Sequence, residues 1–403
     1  MKYDVAIVGG GAAGFFTAIQ IAEFRPEFKI LILERGKEVL TKVRISGGGR
    51  CNVTHAEFDP SELIKNYPRG ERELLGPFHN FNTADVIDFF EKRGVSLKTE
   101  EDGRMFPVTD SSETIINCFL SEAKKSKIEV LKNHAVKNIQ NKEGSWFLET
   151  NSGNFKSENL VIATGSNPKI WKMLTHLGHE IVSPVPSLFT FNIKDNRIKD
   201  LAGISQNATV SVLGTKLMAN GPLLITHWGM SGPAVLKLSA WGARILNEKK
   251  YHFKIAVNWL YDKNASEVQE MLNSYKISYA KKQIINTRPF SLSKRLWLKF
   301  TEFCKVTNTT RWADLSKKQI IEISHVLTAS IFTVQGKSTF KEEFVTAGGV
   351  VLKEIDFKTF SSKKHKKLYF AGEVLNIDAI TGGFNFQNAW TGAYIAAKAI
   401  SNI

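Results

Sequence analysis

Cysteine is scarce in this 403-residue chain: Cys51, Cys118 and Cys304 are the full complement. Their odd number and wide spacing exclude a disulfide framework and a zinc knuckle, and no pair stands at C-x-x-C spacing, which excludes a paired-thiol redox centre. No metal-ligand set is expected. Long apolar runs are missing too, so no segment reads as a membrane span. The opening Met1-Lys2-Tyr3-Asp4 lacks the apolar stretch and small-residue cleavage site of a secretory signal. The expectation is a soluble, cytoplasmic protein in a reducing compartment. Internal repeats and low-complexity tracts are absent. Acidic residues are in deficit, 39 against 54 Lys plus Arg, for a net charge of +15. Such a surface attracts polyanions at long range. No nucleic-acid-binding signature accompanies it, so the charge is read as a solvated lysine-rich surface with some phosphate-facing cations. A nucleic-acid partner is neither required nor excluded by it. The cluster Lys363-Lys364-His365-Lys366-Lys367 reads as an exposed loop tip.

The chain is 43% hydrophobic, enough to bury a sizeable core in two or three domains. Residues 3–8 are apolar and β-prone, 12–23 are helical in character and 29–33 are apolar again: strand, helix, strand, the opening of a parallel α/β sheet. A glycine- and cation-rich loop is expected at 44–52. Asn82-Thr83 offers an N-cap for a helix to about Arg93, and Ser111-Ser112 for one to about Lys125. Short strands with turn signals fill 129–162. From about Pro184 the pattern turns to β-rich segments, with a helix expected over 231–246. Residues 264–330 read as amphipathic helices. Buried-strand character returns at 368–371, and a helix is expected from about Gln387 to Ile400.

Gly9, Gly11 and Gly14 make G-x-G-x-x-G between the first strand and the first helix. That spacing serves a tight turn, a close approach of backbone to pyrophosphate and close packing of helix on sheet. The helix start, with Ala12 and Ala13, offers unpaired N–H groups to phosphate. Glu34, about twenty residues beyond Gly14 at the end of the second strand, and followed by Arg35, is placed to accept hydrogen bonds from an adenosine ribose. The motif signals a dinucleotide without choosing among FAD, NAD and NADP, although Glu34 would repel a 2′-phosphate.

The loop Arg44-Ile45-Ser46-Gly47-Gly48-Gly49-Arg50-Cys51-Asn52 narrows the choice. Together with 103–108, Ile162-Ala163-Thr164-Gly165, 226–233, 345–350, 371–375 and Thr381-Gly382-Gly383-Phe384-Asn385, it resembles the BaiN/RdsA-type (YhiN-like) NAD(P)/FAD-dependent oxidoreductase family, also known as aminoacetone oxidase family flavoproteins. Arg44 and Asn376 depart from the usual pattern. The resemblance implies an α/β protein whose flavoprotein-type Rossmann domain is assembled from both chain ends (1–185 and 346–403), with an inserted β-rich domain (186–260 and 331–345) and a helical subdomain (261–330). It implies FAD held by the residues already named, by Arg44, Ser46, Gly47, Gly48, Gly49 and Arg50, by Thr164 and Gly165, and by Gly372 and Glu373. Gly382, Gly383, Phe384 and Asn385 would meet the flavin end through backbone N–H groups.

Arg50, His227 and Cys51 are the catalytic candidates. Arg50 suits a phosphate or substrate anion, His227 suits proton donation, and a lone Cys51 also reads as a small buried hydrophobe. The expected activity is hydride transfer from NADH or NADPH, bound transiently, through FAD to an organic small molecule, with an activated C=C bond among the acceptors. An O₂-using amine oxidase and an RNA-binding or RNA-modifying flavoprotein stand as alternatives. Oligomeric state is not legible.

Overall fold

A computed structural model describes residues 2–338 and 345–402. The chain divides into two compact units, Met1–Val185 with Lys341–Ile403, and Pro186–Phe340.

The first unit is built on a nine-stranded sheet. Its parallel heart runs, from one side to the other, Leu368–Phe370, Gly153–Ile162, Lys2–Val8, Ile30–Leu33 and Glu129–Leu131. An antiparallel pair, Val136–Lys142 and Ser145–Thr150, extends Gly153–Ile162. Side chains alternate across this sheet as the strand period requires. Val5 and Ile7 enter one apolar cluster, Ala6 and Val8 the other. The helix Ala12–Phe24 is apolar nearly all round and is accordingly buried between neighbours rather than laid on the surface. Phe16 at its centre packs on Phe89 at 4.3 Å and on Trp390 of the closing helix at 5.2 Å, joining the two ends of the sequence in one core.

The second unit carries a seven-stranded sheet in the order Ser330–Gln335, His252–Asn258, Ser205–Val212, Met218–Thr226, Gly229–Ser231, Thr190–Asn192 and Lys337–Ser338, with antiparallel pairing throughout. Helices Ala265–Ser278, Lys294–Phe303 and Lys317–Thr328 lie in the same unit. The shared core includes Trp259, Trp297 and Trp312. Among the described residues no helix is long and apolar enough to cross a membrane, and no group of His, Cys, Asp and Glu could hold a metal ion.

Several local expectations are corrected. The helix expected over 231–246 is two, Pro233–Trp241 and Ala243–Glu248, parted at Gly242. The last helix begins at Phe384 rather than Gln387. The 44–52 segment is not all loop: Thr41–Gly49 starts as a helix, and Ser46, Gly47 and Gly48 break it with extended and left-handed conformations. Asn82 and Ser111 do cap the helices Thr83–Glu91 and Ser112–Lys125.

At the edge of the first unit's sheet, buried His179 bridges Glu354 Oε2 (2.8 Å from Nδ1) and Ser362 Oγ (3.0 Å from Nε2). Lys364 Nζ holds the other Glu354 oxygen at 2.6 Å. The Ser362 oxygen already accepts the N–H groups of Lys364 and His365, so its own proton goes to Nε2 and the imidazole is neutral, with Nδ1–H on Glu354. Burial holds the His179 pKa below its ordinary value, against the opposing pull of Glu354. The folded chain therefore binds fewer protons than the unfolded chain below the ordinary imidazole range. Stability is full above that range and falls as the pH drops through it. Denaturant unfolding at about pH 7.5 and about pH 5.5 is expected to show a smaller acid loss for His179→Gln than for the unaltered protein; equal losses would assign the acid sensitivity elsewhere.

Candidate functional site

The register of the parallel strands decides where the candidate residues meet. Val8 pairs with Ile162 and Leu33, and Ile162 with Phe370, so four strands end level. The segments beginning at Gly9, Glu34, Ala163 and Ala371 leave from the same crest. In open α/β sheets, ligands bind at this carboxyl edge.

The three motif glycines have different neighbours. A Cβ on Gly9 would fall 2.4 Å from Ala163 O, and one on Gly14 would fall 2.0 Å from Gly9 O. Backbone packing forbids side chains at both. A Cβ on Gly11 would meet no atom within 4 Å, and the Gly11 backbone (φ −97°, ψ −167°) is extended, so the protein itself does not require glycine there. Gly11 is also the N-cap of Ala12–Phe24, with no side-chain cap and no acidic residue in the first turn. The first N–H groups of the helix and its positive end thus open into free space, which suits a diphosphate.

Glu34 closes one side. Gly10 N–H donates to its Oε2 (2.9 Å) and Gly36 N–H to its Oε1 (2.7 Å), which fixes the carboxylate at the crest with lone pairs left for a diol. Arg35 beside it is exposed. If this carboxylate accepts from the adenosine ribose of FAD, Glu34→Ala weakens FAD binding roughly tenfold to a hundredfold, from about 1.5–3 kcal/mol per charge-assisted bond. Titration of apo-protein with FAD measures it, and unchanged affinity would remove Glu34 from the ribose.

On the other side Gly165 and Gly372 take left-handed conformations, and Gly372 backs onto Ala13 with only 3.3 Å for a Cβ. Thr164, half-buried, lies two residues beyond the end of the strand Gly153–Ile162. Lys42 Nζ reaches Glu373 Oε2 at 2.6 Å, and both lie beside Gly165. A second helix start joins the site at Gly383, the N-cap of Phe384–Ile400. Gly383 has φ +93°, and a Cβ there would strike the Thr54 backbone at 2.5 Å.

A family model described as "HI0933-like protein Rossmann domain" matches residues 3–399. The chain belongs to this HI0933-like family. It is 31% identical over 409 residues, covering 98% of both chains, to the ribosomal RNA dihydrouridine synthase of Haemophilus influenzae. It is 26% identical, again covering 98% of both chains, to the 3-dehydro-bile acid delta(4,6)-reductase of Clostridium scindens. Among solved structures, the 3-ketosteroid-delta4-(5alpha)-dehydrogenase of Rhodococcus jostii RHA1 aligns with a TM-score of 0.53 at 11% identity, over 99% of this chain and 97% of that one. At that identity the likeness is one of fold.

In this HI0933-like chain the glycine triplet has a divided role. A Cβ on Gly47 would crowd Asn52 and Phe106 at 3.0 Å, whereas Gly48 and Gly49 face open space with positive φ. Ser46 Oγ donates to Val43 O. The two flanking arginines already have carboxylate partners: Arg44 pairs with Glu113 at 2.5 Å, and Arg50 with Glu100 at 2.6 Å and Asp110 at 3.4 Å. The Arg50 guanidinium also lies 3.9 Å from the Phe106 ring centroid. An anion approaching Arg50 would compete with both carboxylates. Cys51 is fully buried, and burial pushes its pKa up to about 12, so the thiol stays protonated at neutral pH and cannot act as a thiolate. His227 lies in the second unit, exposed in the turn between Met218–Thr226 and Gly229–Ser231.

The closing helix start differs from expectation in detail. With the Asn52 amide oriented to satisfy both its ends, its oxygen accepts from Gly383 N–H at 3.0 Å. That donor, expected to serve the flavin, is already engaged. The Phe384 ring is buried, stacked on His55 at 4.5 Å, and Asn385 spends its amide on Ala379. Phe384 and Asn385 therefore offer backbone N–H groups rather than side chains. His55 Nδ1 donates to Gly382 O (3.0 Å), and Thr54 Oγ1 donates to Gln387 Oε1 (2.6 Å). Lys42, His55 and Gln387 escaped the sequence reading because their partners lie hundreds of residues away, with no local spacing to betray the pairing.

Proposed function

We propose that this chain is an FAD-dependent oxidoreductase that reduces a carbon–carbon double bond conjugated to a carbonyl, with a uridine of ribosomal RNA as acceptor and NADH or NADPH as transient reductant. The single observation that carries the cofactor is Gly11, which no protein atom requires to be glycine, placed at an uncapped helix start. The turn Gly9–Gly14 would hold the diphosphate and Glu34 the adenosine ribose. Gly165, Gly372 and the Lys42–Glu373 pair would border the central part of the cofactor, and the Phe384–Ile400 helix start would face electron-rich flavin oxygens. When bound, FAD supplies the two-electron hydride chemistry, and the protein contributes placement, charge and exclusion of water.

The acceptor is supported by the chemistry shared between the relatives. Dihydrouridine is uridine whose C5=C6 bond, conjugated to the C4 carbonyl, has gained two hydrogens, and a delta(4,6)-reductase of a 3-dehydro compound likewise saturates a bond conjugated to a ketone. The net charge of +15 favours the polyanion of the two. A steroid-like enone is the second reading, favoured by the Clostridium scindens relative. Of the catalytic candidates, Arg50 and His227 are retained as groups to hold an anion and to supply a proton, and Cys51 is assigned to packing.

The test supplies FAD-loaded protein with NADH or NADPH, without oxygen, and either unmodified ribosomal RNA or a 3-oxo-Δ4 steroid. Mass spectrometry should find a two-hydrogen gain on uridine of the RNA. Conversion of the steroid alone would replace the acceptor. Peroxide formed from an amine and O₂ with no pyridine nucleotide would replace the reaction class by amine oxidation.

A further inference from the structure

We propose that the helical part of the second unit holds a binding site for the phosphate backbone of RNA, centred on Lys281, Lys282 and Arg311; this rests on the reading of RNA as acceptor and adds to it a place of contact. Residues 261–330 carry twelve Lys and Arg against six Asp and Glu, so basic residues are concentrated there. Tertiary pairing gathers three of them. Gln283 and Arg311 form an antiparallel bridge, flanked by Trp312 N–H to Lys282 O (3.0 Å) and Ile284 N–H to Thr310 O (3.1 Å). Two segments about thirty residues apart thereby bring Lys281, Lys282 and Arg311 to one open concavity of about 570 Å³.

All three are exposed, and among the described residues none of them forms an ion pair. The nearby carboxylate, Asp314, accepts from the Arg311 backbone N–H at 3.3 Å and leaves the guanidinium unmatched. The first unit differs: there Arg44, Arg50, Lys42 and Lys367 each have a carboxylate partner. Three like charges around one concavity repel one another, and a polyanion relieves that repulsion while releasing its own counterions.

The rest of the lining points to a nucleic acid rather than to an acidic protein. Tyr279 forms one wall, with the Lys282 ammonium 5.0 Å from its ring centroid. It is braced by Tyr275 at 4.9 Å, which in turn packs on buried Trp312 at 5.6 Å. A ring held on a firm base beside cations is the arrangement that stacks an unpaired base while the phosphates are neutralised. Gln283 and Asn286, hydrogen-bonded to each other at 3.0 Å, add amide donors and acceptors suited to a base edge or a 2′-hydroxyl.

The test uses full-length holo-protein and fluorescently labelled ribosomal RNA transcribed in vitro, with anisotropy titrations at several salt concentrations. Lys281→Gln, Lys282→Gln and Arg311→Gln combined should weaken binding about tenfold or more and lower the salt slope by roughly 2. FAD content and thermal unfolding should not change. The charge-preserving set Lys281→Arg, Lys282→Arg and Arg311→Lys should keep most of the affinity. Unchanged affinity and slope in the Gln set would overturn the site, and leave the acceptor reading intact if the unaltered protein still forms dihydrouridine in RNA. Competition by polyglutamate as strong as that by RNA would also overturn it, in favour of an acidic protein. Loss of binding in the Gln set, with no dihydrouridine formed by the unaltered protein, would uphold the site and remove RNA as the reduced substrate.

Discussion

Gly11→Val is expected to give a folded protein that no longer retains FAD. The Cβ at this position meets nothing within 4 Å, and the extended backbone accepts any L-residue. The cost to the apo-protein is limited to a poorer helix N-cap, about 1 kcal/mol. The added methyls instead fill the space in front of the first N–H groups of Ala12–Phe24, where the diphosphate is proposed to sit. Affinity should fall by at least a hundredfold, about 2.8 kcal/mol. Gly14→Val is the contrast: its Cβ would lie 2.0 Å from Gly9 O, so helix and strand must separate and the fold itself should fail. Circular dichroism melts and FAD titration of the apo-protein separate the two effects. A Gly11→Val protein that binds FAD as the unaltered chain does would move the diphosphate away from this helix.

Arg69→Ala should produce a large loss of stability in a chain that still folds. Asp378 is completely buried, and Arg69 grips it with both ends of its fork, Nε to Oδ1 at 2.5 Å and Nη2 to Oδ2. The two residues also pair through their backbones. Truncating the arginine leaves a buried carboxylate without this partner, at a cost of about 3–5 kcal/mol, or a fall in Tm of roughly 6–20 °C. The consequence reaches the cofactor site. Asp378 precedes Ala379, whose N–H and carbonyl hold the Asn385 side chain at the start of the closing helix, so FAD occupancy should fall as well. Arg69→Met with Asp378→Leu removes both charges and should recover much of the loss, since two apolar groups in place of a buried pair leave no charge uncompensated. A single variant melting within about 1 kcal/mol of the parent would show that Asp378 is neutral or solvated in the folded chain.

Local chemistry made the opening of the fold readable. The strand–turn–helix start, the glycine spacing, Glu34 at the end of the second strand, and the caps at Asn82 and Ser111 all depend on neighbours within a few residues. Where a local rule had a tertiary exception the reading failed. The Arg44–Asn52 segment looks like loop because of its glycines, yet Arg44 and Ile45 continue a helix that starts at Thr41 and is broken at Ser46.

The sequence by itself determined that a Rossmann-type strand–turn–helix opens the chain and the family to which the whole belongs, because these are written in short spacings and distinctive strings. Only the tertiary structure decided that Gly11 is the one of the three motif glycines that faces open space, that Arg50 is already matched by Glu100 and Asp110, that the Cys51 thiol is sealed, and that Lys281, Lys282 and Arg311 meet. Each of these depends on strand register or on pairings across long stretches of chain, and the distance between two side chains so far apart in sequence is set by the packing of everything between them.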